Sequence, residues 1–157
     1  YTAFANRGLM LSPTILPRTN ATGTPVFKSS VIDELVPMLE SVTSDIGTAS
    51  LARVNNYRVA GKTGTVERLV GGGYATDSYT SVFAGFAPAD DPDIVLVVVV
   101  HDPRGEEYFG GAVAAPVFSA VMKGALRLRN IRPTVEEQLW VAVDETELSD
   151  GVGLHEL

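Results

Sequence analysis

Lys62-Thr63-Gly64-Thr65 is the stretch whose residue types and spacing could do chemistry. A lysine supplies a fixed positive charge for a carboxylate. Hydroxyls at Thr63 and Thr65 can donate hydrogen bonds to that carboxylate or to its peptide. Gly64 removes a side chain, so an extended peptide can lie against the segment as an added strand. The backbone N–H after the glycine can stabilise an oxyanion. The letters Gly61-Lys62-Thr63 also end a phosphate-binding loop, which needs a glycine five residues earlier and a helix afterwards. The earlier position is Asn56, and Tyr57 to Ala60 reads as strand rather than glycine-rich loop. Gly64 and the β-branched Thr65 and Val66 make a poor helix start. The nucleotide reading therefore fails. Four residues alone would favour a plainer reading, a surface lysine in a threonine-rich strand.

The partners that would activate a nucleophile are absent from the chain. The lysines are Lys28, Lys62 and Lys123, and three residues before each stand Pro25, Val59 and Ala120, so there is no Ser-x-x-Lys. No serine has asparagine two positions later, and Gly-x-Ser-x-Gly is missing. A serine hydroxyl needs a nearby base to react, and no local arrangement supplies one. There is no cysteine, which excludes disulfides, thiolate catalysis and Cys-ligated zinc. The two histidines, His101 and His155, are far apart, so no metal site and no cofactor is expected.

Charge is unevenly placed. The net charge is −7 over 157 residues. Residues 1–132 balance, whereas Glu136, Glu137, Asp144, Glu145, Glu147, Asp150 and Glu156 follow Pro133 with no Lys or Arg among them. No basic patch exists, so nucleic-acid binding is not expected. No unbroken apolar run reaches the roughly 18 residues of a membrane span, and no signal peptide is expected within the chain, since Tyr1 opens mid-pattern with no basic region before an apolar stretch.

The elements that would position Lys62 follow from hydrophobic period. Residues 1–8 read as a helix end closed by left-handed Asn6 and Gly8. Residues 9–28 carry three prolines and read as extended segments and turns. Ser29 to Asp45 is an amphipathic helix with Val31, Leu35, Met38, Leu39 and Val42 at helical spacing. Ser30 and Asp33 suggest a capping box, and Pro37 should bend the helix or divide it in two. Residues 47–53 suggest a further helical turn. The period then becomes two: a strand through the Lys62 stretch, a glycine-rich hairpin turn over 69–77, and a second strand from Ser78. In that strand Tyr79, Ser81, Phe83 and Gly85 share one face. Ile94 to Val100 is a third strand, apolar on both faces and so expected to be central and covered on both sides. Gly110 and Gly111 precede a last helix, with Pro116 tolerable in its first turn and Val117, Val121, Ala125 and Leu128 facing the sheet. The fold class is α+β: a three-stranded antiparallel meander with flanking helices.

"AGKTGT" (60–65), "SYTSVFAGFAPADDPDIVLVVVVHDP" (78–103) and "YFGGAVAAPVFSAVMKGALRL" (108–128) occur in order with close spacing. Together they resemble the C-terminal part of class B penicillin-binding proteins, most of all the septal cell-division transpeptidases of Gram-negative bacteria. "AGFAPA" and "GGAVAAPVF" are more specific than the lysine motif, and the Lys-Thr-Gly element is shared with β-lactamases. The resemblance implies a five-stranded antiparallel sheet of which three strands are present here. It implies a D,D-transpeptidase that cross-links peptidoglycan stem peptides through an acyl-serine. It implies a periplasmic location at the inner membrane, anchored by a segment outside this chain, with divisome proteins as possible partners. By the same resemblance, Lys62 and Thr65 belong to the catalytic network. Thr63, Gly64 and Thr65 bind substrate, with Thr63 and Thr65 contacting the carboxylate of a stem peptide or β-lactam, and the Thr65 N–H forms half of the oxyanion hole. Tyr108 and Phe109 border the cleft, or else simply pack on the core. Alternatives are a stand-alone binding module and a fragment of a serine β-lactamase. Without the preceding part of the transpeptidase domain the chain is expected to be inactive and to self-associate, or to need a partner that completes the sheet. The domain division is residues 1–132 as transpeptidase portion and 133–157 as an acidic tail, whose Leu139, Trp140, Val141 and Val143 are apolar enough to dock.

Overall fold

Long β-branched and aromatic runs at period two build the middle of the molecule. In the computed structural model, residues 1–17, 22–70 and 73–134 are described, with side chains described outside 69–77. The element order is α1 (Thr2–Ala5), β1 (Leu9–Met10), β2 (Thr24–Pro25), α2 (Ser29–Ser41), a 3₁₀ turn (Ser50–Ala52), β3 (Ala60–Val70), β4 (Gly73–Ala87), β5 (Ile94–His101) and α3 (Gly110–Leu128). β3, β4 and β5 form an antiparallel meander with β4 in the centre, and β1 pairs with β2 in a separate two-stranded ribbon. The α+β reading and the meander hold. The hairpin differs: β3 runs to Val70 and β4 starts at Gly73, so the glycine-rich stretch is mostly strand, with Gly71 and Gly72 outside the described residues.

Two apolar layers lie on opposite faces of the sheet. On one, Phe83 meets Phe118 of α3 edge to face at 4.7 Å, and Ala114, Ala115, Met122 and Leu126 are buried beside them with Ala49, Ala52 and Val54. On the other, Phe86, Ala60 and Ala89 are covered by Tyr1 and Phe4 of the α1 segment, by Val36 and Leu39 of α2, and by Val95. The alternation of β4 therefore divides as its period demands, with Ser81, Phe83 and Gly85 toward α3 and Phe86 away from it.

The helices keep their periods but not the expected phases. In α2, Ile32 is buried and Val36 and Leu39 pack on the core, while Val31 and Met38 are exposed. In α3 the sheet-facing stripe is Ala114, Ala115, Phe118, Met122 and Leu126, and Val117, Val121 and Leu128 face outward. Both helices are apolar on more than one side, so spacing alone fits two stripes and tertiary contact selects one. Among the described residues, α3 is the helix long and apolar enough to cross a membrane by length and composition. Its buried stripe makes it a core helix. Pro37 and Pro116 lie inside helices that continue through them, and Pro116 is not in the first turn. Both prolines are exposed, so water can reach the carbonyls they leave unpaired.

Other local expectations are corrected. Lys28, not Ser30, is the N-cap of α2 and no side chain caps it; Asp33 instead pairs with Arg7 at 3.2 Å. Asn6 ends α1 without turning left-handed, and Arg7 and Gly8 take that conformation at φ 52° and 94°. Gly8 is required there, because a Cβ would lie 2.2 Å from the Phe27 carbonyl oxygen. Among the described residues β5 is an edge strand rather than a central one, with Val97 and Val99 about half exposed. Its doubly apolar pattern reports surfaces to be covered, and the described residues cover only part of them. Ile131 and Thr134 return the chain to the turn that precedes β3: the Tyr57 hydroxyl donates to the Ile131 carbonyl at 2.7 Å and the Thr134 N–H to Asn56 O at 2.9 Å. The tail expectation, from residue 135 onward, lies outside the described residues.

Candidate functional site

β3 occupies the outer edge of the meander, so the Lys62 stretch has β4 on one side and, among the described residues, no paired strand on the other. Thr63 pairs with Phe83 and Thr65 with Ser81 in the β3–β4 register. Odd positions of β3 therefore point to the α3 side. A Cβ on Gly61 would stand 2.6 Å from the Phe83 ring, so the glycine before Lys62 leaves the room that this buried ring occupies. Lys62 starts from the opposite face, and its ammonium reaches round to Thr63, donating to Oγ1 at 3.1 Å.

The hydroxyls are ordered by their neighbours. Thr63 Oγ1 lies 3.3 Å from Thr48 Oγ1, giving a row of Lys62 Nζ, Thr63 Oγ1 and Thr48 Oγ1. Thr65 Oγ1 accepts a hydrogen bond of 3.1 Å from the Gly110 N–H at the start of α3. A hydroxyl has one proton and two acceptor sites. With one acceptor site used by Gly110, the Thr65 proton is free to be donated outward. Lys62, Thr48 and Thr65 are exposed and Thr63 is half-buried, so an anion can reach this polar row.

The close fit between α3 and β3 depends on the glycine pair. A Cβ on Gly110 would lie 2.3 Å from Val82 O and 2.6 Å from Gly64 O, and one on Gly111 would lie 2.1 Å from Thr48 O. These glycines are the first two residues of α3 rather than a linker before it. Tyr108 stacks between Tyr79, at 4.1 Å, and Phe109, at 4.5 Å, while its carbonyl accepts from the buried Ser81 hydroxyl. Phe109 is half exposed beside the site. Lys62, Thr63, Gly64 and Thr65 are thus joined by Gly110, which is bonded to Thr65 and directly follows Phe109. Sequence reasoning missed Thr48, Ser81 and the packing role of Gly110 and Gly111. The paired glycine was a readable signal of close backbone approach; nothing in the sequence linked Thr48 to Thr63. Among the described residues no group of acids and histidines is placed to hold a metal ion.

A Lys-Thr-Gly-Thr strand at the edge of an antiparallel sheet, with helices on both faces, carries the motif shared by β-lactamases and penicillin-binding proteins. The family model for the penicillin binding protein transpeptidase domain matches residues 1–123, and the chain belongs to that family. It is 39% identical over 146 residues to the peptidoglycan D,D-transpeptidase FtsI of Escherichia coli, covering 80% of this chain and 25% of that protein. It is 42% identical over 135 residues to a probable peptidoglycan D,D-transpeptidase, PbpC, of Pseudomonas aeruginosa, covering 85% of this chain and 24% of that protein. The apo structure of the TP domain of Burkholderia pseudomallei penicillin-binding protein 3 superposes with a TM-score of 0.80 at 41% identity. That match covers 87% of this chain and 42% of the solved one. The chain thus spans about a quarter of the curated relatives it matches.

Proposed function

We propose that this chain is the C-terminal segment of a D,D-transpeptidase that cross-links peptidoglycan stem peptides, and that it supplies the substrate-recognition strand of the active site. In this reading a serine outside the chain attacks the carbonyl carbon of the penultimate D-Ala. The terminal D-Ala leaves as its amine, and the amine of a second stem then displaces the serine. Lys62 supplies positive charge to the active-site network, and Thr63 and Thr65 bind the carboxylate of the stem or of a β-lactam. The Thr65 N–H is one donor to the oxyanion, acting where charge develops in the transition state. Tyr108 and Phe109 line the neighbouring wall. Residues preceding the chain cover Val97 and Val99 and pair with the free edge of β5. The whole protein works in septation on the periplasmic face of the inner membrane, anchored by a segment outside this chain and in contact with other division proteins.

The observation that carries this reading is the hydrogen-bonded row of Lys62, Thr63 and Thr48, with Thr65 held beside it by Gly110. A fluorescent penicillin tests it. The complete protein should keep a covalent label after denaturation, Lys62→Ala should label at least tenfold more slowly, and this chain alone should stay unlabelled. Labelling of Lys62→Ala at the unaltered rate would refute the role of the strand, and a covalent label on the isolated chain would show a nucleophile within it.

A further inference from the structure

The segment joining β5 to α3 is held at its entry by one carboxylate, and this leads to an inference that rests on the function proposed above. We propose that Asp102 is a positioning residue for Thr65, acting through segment 102–109 rather than by touching substrate. Asp102 sits at φ 51°, a left-handed conformation that costs a non-glycine residue free energy and is most tolerated by Asn and Asp. Its N–H donates to the Tyr79 carbonyl at 2.8 Å. Its carboxylate gathers three elements: Oδ1 accepts from the Ser78 hydroxyl of β4 at 3.2 Å, Oδ2 pairs with Arg104 of the segment at 2.5 Å, and Arg68 of β3 lies 4.0 Å from Oδ2. Arg68 also donates to Ser78 Oγ at 3.3 Å. The Asp102 side chain is only 26% exposed, whereas Arg104, Gly105, Glu106 and Glu107 are exposed and give the segment little packing of its own.

The far end of the segment meets the site. The Tyr108 ring stacks on Tyr79, the residue whose carbonyl receives the Asp102 N–H, and the Tyr108 carbonyl receives the buried Ser81 hydroxyl. Two residues later Gly110 donates to Thr65. The segment is therefore clamped to β4 at both ends, and the exit clamp sets where the Gly110 amide points. Release of the entry clamp lets the segment and the first turn of α3 drift from β3. The Thr65 hydroxyl then loses the donor that fixes its rotamer and no longer holds its proton toward an incoming carboxylate. Arg68 belongs to the same strand as Lys62, so the cluster also links the recognition strand to the segment that walls it.

A double-mutant cycle in the complete transpeptidase tests this, read as the second-order rate of labelling by a fluorescent penicillin. Asp102→Ala is expected to lower that rate about tenfold, the order of one misplaced hydrogen bond. Asp102→Asn, which keeps an acceptor for Ser78, should recover part of the loss. In a Thr65→Val background, Asp102→Ala should cost nothing further, because the group it positions is gone. In the present chain, Asp102→Ala should speed hydrogen exchange at the Gly110 amide without changing exchange at core amides of β4. An equal fold-loss with and without the Thr65 hydroxyl would reduce Asp102 to a general structural role and overturn the proposal. Unchanged labelling by Asp102→Ala, where Thr65→Val is impaired, would overturn it too. If the unaltered complete protein takes no label, the transpeptidase reading itself fails, and the Gly110 exchange measurement still decides the positioning role.

Discussion

Replacing Gly110 by alanine should separate α3 from the recognition strand, and the size of the effect follows from distances. The new Cβ would stand 2.3 Å from Val82 O and 2.6 Å from Gly64 O, both backbone atoms that cannot rotate away. Restoring ordinary contact requires the start of α3 to withdraw by about 1 Å. The Gly110–Thr65 bond, now 3.1 Å, would then be too long to count as one. Overpacking of this kind costs about 1–3 kcal/mol, and the lost bond about 1 kcal/mol more. Alanine returns up to about 1 kcal/mol through its helix propensity. The net expectation is a destabilisation of about 2 kcal/mol, a fall in Tm of about 6 °C. Gly124, in the same helix, is the control: nothing lies within 4 Å of a Cβ placed there. Gly124→Ala should therefore stabilise by about 0.5–1 kcal/mol. Urea and thermal unfolding of both variants followed by circular dichroism measure the difference. Equal stability of Gly110→Ala and the unaltered chain, or shifts of the same sign for both glycines, would refute the claim that α3 starts in backbone contact with β3.

Three further outcomes follow. Phe118→Ala removes a fully buried ring packed on Phe83 and should cost about 3–5 kcal/mol, seen as a lower urea midpoint at unchanged slope. The Asp93 carboxyl is held below its usual range, chiefly by the hydrogen bond from Arg129. A carboxylate lowered on folding adds stability above its unfolded value of about 3.9 and loses it as pH falls through the lower folded value. A carboxyl NMR titration should place the Asp93 midpoint below the ordinary range, and Arg129→Gln should move it up. Finally, the chain should self-associate through β5, and Val97→Lys on its exposed face should shift sedimentation at micromolar concentration toward monomer; no shift would place the contact elsewhere.

The amino-acid sequence alone carried what depends on local chemistry. The family was legible from three stretches, 60–65, 78–103 and 108–128, in order. The change of period from helix to strand around Tyr57 and the meander were legible because residue type and spacing along each segment decide them. The absence of Ser-x-x-Lys was legible for the same reason. Tertiary structure decided everything that needs a second element. It chose Ile32 over Val31 and Phe118 over Val117 as buried residues, since helices apolar on several sides admit more than one stripe. It brought Thr48 to Thr63 and Gly110 to Thr65 across 15 and 45 residues of chain. Contacts between segments that far apart are set by how helices seat on a sheet, and nothing local to either residue encodes them.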